Sequence, residues 1–406
     1  MTLADDAINI HRILRGKIEI CNKISLDHSE TGNIERSKKT TLDMVYTPGV
    51  AFVAEQISKD KSLAYDFTSK WNNIAIVCDG TRVLGLGNIG PEGALAVMEG
   101  KSILYKILGN INAYPLCIDL KDKDDIIKFV KAIHPMFSAI NIEDIESPKV
   151  LDIVDELQNE LPLPIFHDDQ HGTAIITLAA LLNALKLVKK EISNAKVVIA
   201  GAGSAGYGIF KILKQTGAKD IVVADSLGAI FKERDQGIDN KYKREIADNT
   251  NLQNLHGDFK ALLENADVFI GVSGKENLLN KATIKSMNRD PIIFALSNPD
   301  PEILPSDAIE GGGRIIATGR SDYANQINNA VVFPSFLRAL LDLRINAISE
   351  EMLVLVAFAI AGLVDSRHLK DDYIIPSIDD PRIIAIVTST LKTAIHNGLE
   401  PESQQQ

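Results

Sequence analysis

A glycine-rich turn between a strand pattern and a helix pattern constrains the fold most strongly. Lys196–Ala200 has the sequence KVVIA, and the apolar spacing after the turn predicts a helix that continues to Gln215. The turn fits G-x-G-x-x-G, whose glycines permit a tight turn, close backbone approach to a pyrophosphate and tight helix–strand packing. The sequence therefore predicts a dinucleotide-binding turn. Its candidate cofactor-binding residues are Gly201, Gly203, Ser204, Ala205 and Gly206.

The acidic residue after the next strand pattern bears on the choice of dinucleotide. Asp225 directly follows the strand pattern at 220–224. A carboxylate at this place can accept hydrogen bonds from both ribose hydroxyls of NAD, and it repels a 2′-phosphate. Ser226, Lys232 and Arg234 follow closely and could accommodate that phosphate instead. We therefore expect NAD, with NADP as the open alternative.

Strand and helix patterns alternate through most of the chain, which predicts an α/β protein of two domains. We expect an N-terminal α/β domain at 1–165, a C-terminal doubly wound Rossmann-type dinucleotide-binding domain at 166–375, and a C-terminal helix with a frayed tail at 376–406. The apolar helix pattern at 173–187 lies between the two blocks. The predicted strands are 73–77, 114–118, 139–142, 163–166, 196–200, 220–224, 267–271, 291–296 and 314–317.

The charge balance narrows the class of partner. The 406 residues carry 43 Lys and Arg against 54 Asp and Glu, a net charge of −11. Such an acidic chain is poorly suited to bind nucleic acid or an anionic membrane surface, and no apolar run reaches the about 20 residues of a spanning helix. Three separated cysteines without a CxxC pair are typical of a reducing compartment. We expect a cytoplasmic protein that acts on a small molecule.

Four acidic residues follow two of the strand patterns in pairs: Glu143, Asp144, Asp168 and Asp169. Ligands of open α/β sheets bind beyond the carboxyl ends of strands, so these carboxylates should converge there and would repel one another without a cation between them. Oxygen donors favour Mg²⁺ or Mn²⁺. His167 and His171, four residues apart, leave zinc as an alternative.

Widely spaced motifs in this chain resemble the malic enzyme family, in its short form. They occur in a consistent order over roughly residues 40–360. The motifs are YTPGV at 46–50, DGTRVLGLG at 79–87, MEGK at 98–101, ED at 143–144, HDDQHGT at 167–173, SNP at 297–299 and NN at 328–329. The resemblance implies oxidative decarboxylation of L-malate to pyruvate and CO₂, with reduction of NAD⁺ or NADP⁺ and a divalent metal.

The same resemblance assigns chemical roles to particular residues. Lys101 would take the proton of the C2 hydroxyl, and Tyr46 would return a proton to C3 of enolpyruvate. A lysine base needs a depressed pKa, and we expect burial and a nearby cation to provide it. Asp168 would support the metal site or pair with Lys101. The metal ligands would be Glu143, Asp144 and Asp169.

The resemblance also implies substrate contacts and a partner. Arg82 would bind a malate carboxylate with its planar, bidentate guanidinium group. Asn298 and one of Asn328 and Asn329 would orient the substrate, and we favour Asn328. Leu227 stands where NADP-using relatives tend to carry a cation. Relatives of this kind are usually homodimers or higher homo-oligomers, with a dimer formed largely through the N-terminal helices.

Three other functions remain open from the sequence. A malolactic enzyme would recycle bound cofactor and release lactate, and the motifs do not separate it from a malic enzyme. A plain malate dehydrogenase would stop at oxaloacetate, but hydride transfer alone needs no cluster of metal-binding carboxylates. A non-catalytic nucleotide sensor would keep the fold without the chemistry, which the joint presence of lysine, tyrosine, arginine and acidic residues disfavours.

Overall fold

Two mainly parallel β-sheets with helices packed on them organise the protein, and the computed structural model describes residues 45–399. The end of the predicted frayed tail, residues 400–406, lies outside the described residues. Residues 1–44, the first part of the predicted N-terminal domain with its expected dimer contacts, lie outside them as well. Both sheets consist of strands whose side chains are mostly buried, as parallel sheets require when both faces are covered.

The first sheet has the strand order β2-β1-β3-β4, all parallel. Strands β1 and β3 are buried throughout, which explains their continuous apolar runs. The order reverses between β1 and β3, and such a switch point is where open sheets bind ligands. The elements are α1 (Gly49–Lys59), α2 (Ala64–Phe67), β1 (Asn73–Cys78), α3 (Gly90–Gly109), β2 (Asn112–Cys117), α4 (Lys123–Ile133), β3 (Ala139–Glu143), α5 (Lys149–Glu160) and β4 (Ile165–His167).

A long apolar helix joins the two sheets. After β4 the chain makes one π-helical turn, Asp168–Gly172, and continues directly as α6 (Thr173–Val188). By length and composition Asp168–Val188 could cross a bilayer, but most of it is buried inside the protein. The predicted helix between the blocks is thus present as a core element.

The second sheet has the order β10-β9-β8-β5-β6-β7 and confirms the predicted doubly wound fold. Its order reverses between β5 and β8, and the glycine turn follows β5 at this reversal. The two-residue β7 is antiparallel to β6 and was not predicted. The elements are β5 (Lys196–Ala200), α7 (Ser204–Gln215), β6 (Asp220–Asp225), β7 (Gly228–Ala229), α8 (Lys241–Asn249), α9 (Phe259–Leu263), β8 (Val268–Gly271), α10 (Lys281–Lys285), β9 (Ile292–Ala295), α11 (Pro305–Glu310) and β10 (Ile315–Thr318).

Three C-terminal helices complete the core between the sheets: α12 (Phe333–Asp342), α13 (Glu350–Ala361) and α14 (Arg382–His396). Helix α13 packs on α6, and α14 packs on both α12 and α13. Helix α12 packs on α3 of the first sheet, where the rings of Phe333 and Tyr105 lie 4.7 Å apart. This contact places the second half of the chain beside α3, which carries Lys101.

Candidate active site

The acidic residues Glu143, Asp144, Asp168 and Asp169 lie at the carboxyl edge of the first sheet and are called the acidic cluster below. Strands β3 and β4 are neighbours, so their carboxyl ends bring the two pairs together as expected. Asp168 and Asp169 open the π-helical turn, a type of distortion that is frequent at functional sites. Glu143, Asp144 and Asp168 are buried.

Lys101 stands between two carboxylates of this cluster. Its Nζ donates to Glu143 Oε1 at 2.6 Å and to Asp168 Oδ2 at 2.5 Å, and it lies 4.4 Å from the centre of the Phe333 ring. Burial lowers the pKa of Lys101, but the charges of Asp168 and Glu143 outweigh burial and raise the pKa above its ordinary value. Burial thus acts in the expected direction but is outweighed by the two carboxylates, and the effect of a bound cation on the Lys101 pKa stays a prediction.

The acidic cluster holds more negative charge than Lys101 neutralises. Burial, assisted by Asp169, raises the pKa of Asp144 to about 7. Burial also raises the pKa of Glu143 and that of Asp169. Asp168 Oδ1 is buried without a hydrogen-bond partner. Carboxylates in these surroundings gain from binding either a proton or a cation.

The chemistry of the cluster fits an oxygen-preferring dication such as Mg²⁺ or Mn²⁺. Within residues 45–399, however, no three His, Cys, Asp or Glu side chains are already gathered as metal ligands. Glu143 is already engaged by Lys101 on Oε1 and by Asn141 on Oε2. A cation at this place has to compete with those two contacts.

The two histidines of the zinc alternative are core residues. His167 and His171 are buried, and the backbone N–H of His167 donates to His171 Nδ1 at 3.2 Å. Burial lowers the pKa of His167 to about 4 and that of His171 to about 3. The His171 ring also packs against Phe166, 5.7 Å between ring centres. Both side chains are therefore neutral groups that help to pack the segment between β4 and α6.

Arg82 lies on a loop that hydrogen bonds hold in place. Asp79, fully buried, accepts from the Thr81 backbone N–H and hydroxyl on Oδ1, and from Lys149 Nζ on Oδ2 at 2.7 Å. The Arg82 backbone N–H donates to the Asp144 carbonyl at 3.2 Å. The positive charge of Arg82 offsets part of the rise that burial causes in the pKa of Asp144. Arg82 also lines the neighbouring groove, so it connects that groove with the acidic cluster.

The glycine turn borders this groove, whose volume is about 690 Å³. Gly201 has a φ of +117°, and a Cβ there would lie 2.6 Å from the Val272 carbonyl oxygen. A Cβ on Gly206 would overlap the Gly201 carbonyl oxygen, whereas the space beside Gly203 is open. Ser204 begins α7, so strand, turn and helix follow in the predicted order. The open side at Gly203 suits the close approach of a phosphate.

Asp225, at the end of β6, also lines the groove and faces two cations. Arg234 Nη2 donates to its Oδ2 at 2.5 Å, and Lys243 Nζ lies 3.4 Å from the same oxygen. Burial raises the pKa of Asp225. The hydrogen bonds from Arg234 and the Leu227 backbone, together with the charges of Arg234 and Lys243, bring this pKa below its ordinary value. Arg234 donates to three backbone carbonyl oxygens as well. Arg234, which could accommodate a 2′-phosphate according to the sequence, is thus committed to Asp225 and the backbone.

The neighbouring residues Asn328 and Asn329 have different hydrogen-bond partners. Asn329 Nδ2 donates to Thr173 Oγ1 at 3.0 Å and lies 3.5 Å from the Asp168 carbonyl oxygen. Asn328 instead accepts from the Ala330 backbone N–H and caps the 3₁₀ turn Asn329–Val331. The structure therefore places Asn329 beside the acidic cluster, and the choice of Asn328 as the substrate contact stays a prediction. Asn298 follows β9 in an exposed loop.

Tyr46, the second predicted catalytic residue, lies at the protein surface. Its side chain is 70% exposed just before α1, a helix with no buried residue. Within residues 45–399 no hydrogen bond joins the Tyr46 side chain to the acidic cluster or to Lys101. Among residues 45–399, α1 mainly contacts the 3₁₀ turn Lys61–Leu63 that follows it. The role of Tyr46 stays a prediction.

Two buried polar residues beside the cluster were missed by sequence reasoning. The Tyr105 hydroxyl donates to Asn141 Oδ1 at 2.6 Å, and Asn141 Nδ2 donates to Glu143 Oε2 at 2.8 Å. The hydroxyl therefore fixes the orientation of the amide, and the amide fixes the carboxylate. A signal was available in both cases: Tyr105 lies four residues after Lys101 on one helix face, and Asn141 interrupts a buried apolar strand.

Comparison with known protein families gives two matches that together span most of the chain. Residues 26–158 match the family model described as malic enzyme, N-terminal domain. Residues 170–395 match the one described as malic enzyme, NAD binding domain.

Individual relatives agree with the family matches. A bifunctional malic/malolactic enzyme of Bacillus subtilis is 44% identical over 400 residues, which are 98% of this chain and 95% of the relative. An NAD-dependent malic enzyme of Geobacillus stearothermophilus is 46% identical over 385 residues, 94% of this chain and 78% of the relative. The crystal structure of an NAD-dependent malic enzyme from Thermotoga maritima superposes with a TM-score of 0.89 at 43% identity, covering 95% of this chain and 99% of that one.

Proposed function

Because the chain belongs to the malic enzyme family, we propose that it converts L-malate and NAD⁺ to pyruvate, CO₂ and NADH. The observation that supports this most is the position of Lys101, held by Glu143 and Asp168. The same acidic cluster is linked through Arg82 to a groove that the dinucleotide turn borders. Lys101, Arg82 and the dinucleotide groove are thus neighbours.

The chemistry assigns one task to each of these groups. The C2 hydroxyl proton passes to Lys101 as the C2 hydrogen leaves as hydride for the nicotinamide ring, which gives oxaloacetate. The bond from C3 to the C4 carboxylate then breaks, CO₂ leaves, and its electron pair forms the enolate of pyruvate. Tyr46 supplies the proton that C3 takes up. Arg82 binds a substrate carboxylate throughout.

Lys101 must be neutral when malate arrives, although the two carboxylates beside it favour the ammonium form. A divalent cation bound by Glu143, Asp144 and Asp169 would withdraw the Glu143 charge from Lys101 and act as a Lewis acid on the substrate oxygens. Asp168, which keeps its hydrogen bond to Lys101, then holds the amine in position.

Metal binding can be tested without turnover. Titration of Mn²⁺ into the protein, followed by the loss of the free-ion electron paramagnetic resonance signal, should show one site. Asp144→Asn should weaken Mn²⁺ binding by about tenfold or more, since it removes one charged oxygen ligand. Asp119→Asn, an exposed aspartate beyond β2, is the matched control. Equal Mn²⁺ affinity in all three proteins would contradict the assigned ligands.

The cofactor preference is proposed from the arrangement at Asp225. An ionised carboxylate with a pKa below its ordinary value can accept from both ribose hydroxyls, and it repels a phosphate. Arg234 and Lys243 are turned toward that carboxylate. We expect Asp225→Ser to lower kcat/KM for NAD⁺ and raise it for NADP⁺, because Arg234 Nη2 and Lys243 Nζ then no longer face a carboxylate. A variant that keeps the wild-type ratio of the two values would contradict this proposal.

We propose that the protein is a homodimer in which α1 takes part in the interface. Val50, Phe52 and Val53 of α1 are exposed, Phe52 by 70%. A monomer would leave this apolar surface in water. Sedimentation velocity should show a dimer of twice the 44.3 kDa chain mass. Phe52→Asp should shift it toward monomer, whereas Phe358→Asp, at an exposed phenylalanine on α13, should not.

Product analysis tests the reaction itself. Purified protein with L-malate, Mn²⁺ and NAD⁺ should form pyruvate and NADH at equal rates, and EDTA should stop both. The malolactic reaction is a second candidate because the Bacillus subtilis relative is named for both activities. Lactate without net NADH would establish that candidate instead. Oxaloacetate as the end product would contradict both.

A further inference from the structure

Glu302 is a fully buried carboxylate on the loop that follows β9, and it contacts the loop that follows β8. Its Oε1 accepts from the Ser273 backbone N–H at 3.0 Å and from the Ser273 hydroxyl at 2.9 Å. The Ser297 hydroxyl donates to the same oxygen at 2.5 Å, and the Ser297 backbone N–H donates to Oε2 at 3.2 Å. One side chain thus holds both loops through four hydrogen bonds.

All four donors are neutral. A buried carboxylate loses its hydration, and neutral donors compensate only part of that cost, so an apolar residue would serve packing alone at least as well. The surrounding backbone is also adapted to the carboxylate, because a Cβ on Gly271 would overlap the Glu302 carboxyl group. A role in fixing the two loops explains the presence of the charge better than packing does.

The two loops are also joined to each other. The Gly274 backbone N–H donates to the Ser297 hydroxyl at 2.8 Å, and the Lys275 backbone N–H donates to the Ser273 hydroxyl at 3.1 Å. Each serine therefore accepts from the backbone of the β8 loop while it donates to Glu302. Because the carboxylate can only accept, it sets the direction of both hydroxyl groups.

These loops meet the functional residues of both halves of the protein. Ser273 and Lys275 line the dinucleotide groove. Gly274 lies next to Arg82, since a Cβ there would be 3.2 Å from Arg82 Nη2. On the other loop, Asn298 directly follows Ser297, and its carbonyl oxygen lies close to Gly85 of the Arg82 loop.

We propose that Glu302 is a positioning residue that fixes the β8 loop and the β9 loop relative to each other. It thereby presents the groove wall at Ser273 and the substrate-orienting Asn298 together, opposite Arg82. This inference rests on the proposed function in so far as Asn298 contacts malate. The part that concerns the groove wall rests only on dinucleotide binding.

Three variants distinguish the contributions of the two loops to malate turnover and NAD⁺ binding. Glu302→Gln keeps the shape but turns an amide N–H₂ toward one of the serine donors. It should lower kcat/KM for malate by about tenfold or more and also weaken NAD⁺ binding measured by calorimetry. Ser297→Ala should affect mainly KM and kcat for malate, and Ser273→Ala mainly NAD⁺ affinity. This split between the two serines is not expected of residues that only support the fold.

Asp267→Asn is the matched control because Asp267 lies at the opposite end of β8. It accepts from the Lys196 backbone N–H and the Asn288 amide and pairs with Lys190, away from the groove. We expect Asp267→Asn to lower the melting temperature about as much as Glu302→Gln does, and to leave the kinetic constants unchanged. The proposal is overturned if Asp267→Asn loses as much activity as Glu302→Gln, or if Glu302→Gln stays within about twofold of wild type in both readouts.

Failure of the proposed function gives a different result. Wild-type protein without malate turnover would refute the proposed reaction, and NAD⁺ affinity of Glu302→Gln and Ser273→Ala would still decide the role of Glu302. If Glu302→Gln does not fold, the two serine variants decide it. Equal effects of both serine variants on both readouts would then overturn the proposal.

Discussion

At the scale of single residues, the state of Lys101 is set by competition between burial and charge. Burial alone favours a neutral amine, but Glu143 and Asp168 each approach its Nζ closely enough to reverse the outcome. The sequence placed Asp168 as a possible partner of Lys101, and the structure shows this pair. Burial acts on the Lys101 pKa in the predicted direction, but the net shift is upward because it depends on how many carboxylates converge in space.

Replacement of Lys101 should separate chemistry from cofactor binding. Lys101→Met should reduce kcat by about 10² to 10⁴-fold, the usual contribution of a general base, while NAD⁺ affinity stays near wild type because Lys101 lies outside the groove. Lys106→Met, an exposed lysine on the same helix, is the control. Stopped-flow hydride transfer and calorimetric NAD⁺ binding measure the two effects. Loss of NAD⁺ binding in Lys101→Met would count against the separation.

The Tyr105–Asn141 pair gives a second prediction at this scale. Tyr105→Phe removes the hydroxyl that orients the Asn141 amide, so Glu143 loses a fixed donor on Oε2. We expect Mn²⁺ affinity to change by about three- to tenfold while NAD⁺ affinity stays constant, the range typical of groups that orient metal ligands. Tyr114→Phe, a half-buried tyrosine on β2, is the control. Unchanged Mn²⁺ affinity in Tyr105→Phe would show that Glu143 needs no such support.

At the scale of elements, hydrophobic periodicity predicted most strands and helices because their burial is continuous. Residues 196–200, 73–77 and 139–142 were expected as strands and form β5 and most of β1 and β3. The antiparallel β7 and the π-helical turn after β4 were not predicted, since two residues or one widened turn carry no periodic signal. Glu302 was missed for a related reason: its partners are in loops that only the folded sheet brings together.

The start of β8 provides a pH-dependent prediction. Burial raises the pKa of Asp267, but hydrogen bonds from Lys190, from the Lys196 backbone and from Asn288 lower it below its ordinary value overall. A carboxylate with a depressed folded-state pKa stabilises the protein above its unfolded pKa of about 3.9, and this stability is lost as pH falls through the folded value.

Urea unfolding across a pH series measures this contribution. Asp267→Asn should reduce the free energy of unfolding by about 1–3 kcal/mol at pH 7, and the difference from wild type should shrink toward zero in acid. Lys190→Met should give a smaller loss, and the double variant should lose less than the sum of the two. A difference between Asp267→Asn and wild type that does not depend on pH would contradict the assignment.

At the scale of the whole molecule, both candidate sites lie at the carboxyl ends of strands, at or beside a reversal of the strand order. This convergence followed from the predicted α/β architecture, so the acidic cluster and the glycine turn were expected at carboxyl ends of strands. The position of Tyr46 was not predictable from one chain. Its side chain is 70% exposed beside a helix without buried residues, and a second copy is the partner that a homodimer would supply.

Subunit complementation tests whether Tyr46 acts on the site of a second copy. Tyr46→Phe and Lys101→Met should each be nearly inactive as homodimers. When the two are co-expressed, heterodimers should contain one intact site, so about a quarter of wild-type activity should return. Recovery is not expected if each subunit uses its own tyrosine, and its absence in a verified heterodimer would contradict the shared site.

We propose that this site oxidises and decarboxylates malate in one sequence. L-Malate labelled with ¹³C at C4 should be supplied with NAD⁺ and Mn²⁺, and NADH absorbance and the ¹³C spectrum followed together. We predict one ¹³CO₂ and one unlabelled pyruvate for each NADH, abolished by EDTA and by Lys101→Met. NADH formed without ¹³CO₂, with the label kept in oxaloacetate, would contradict the claim.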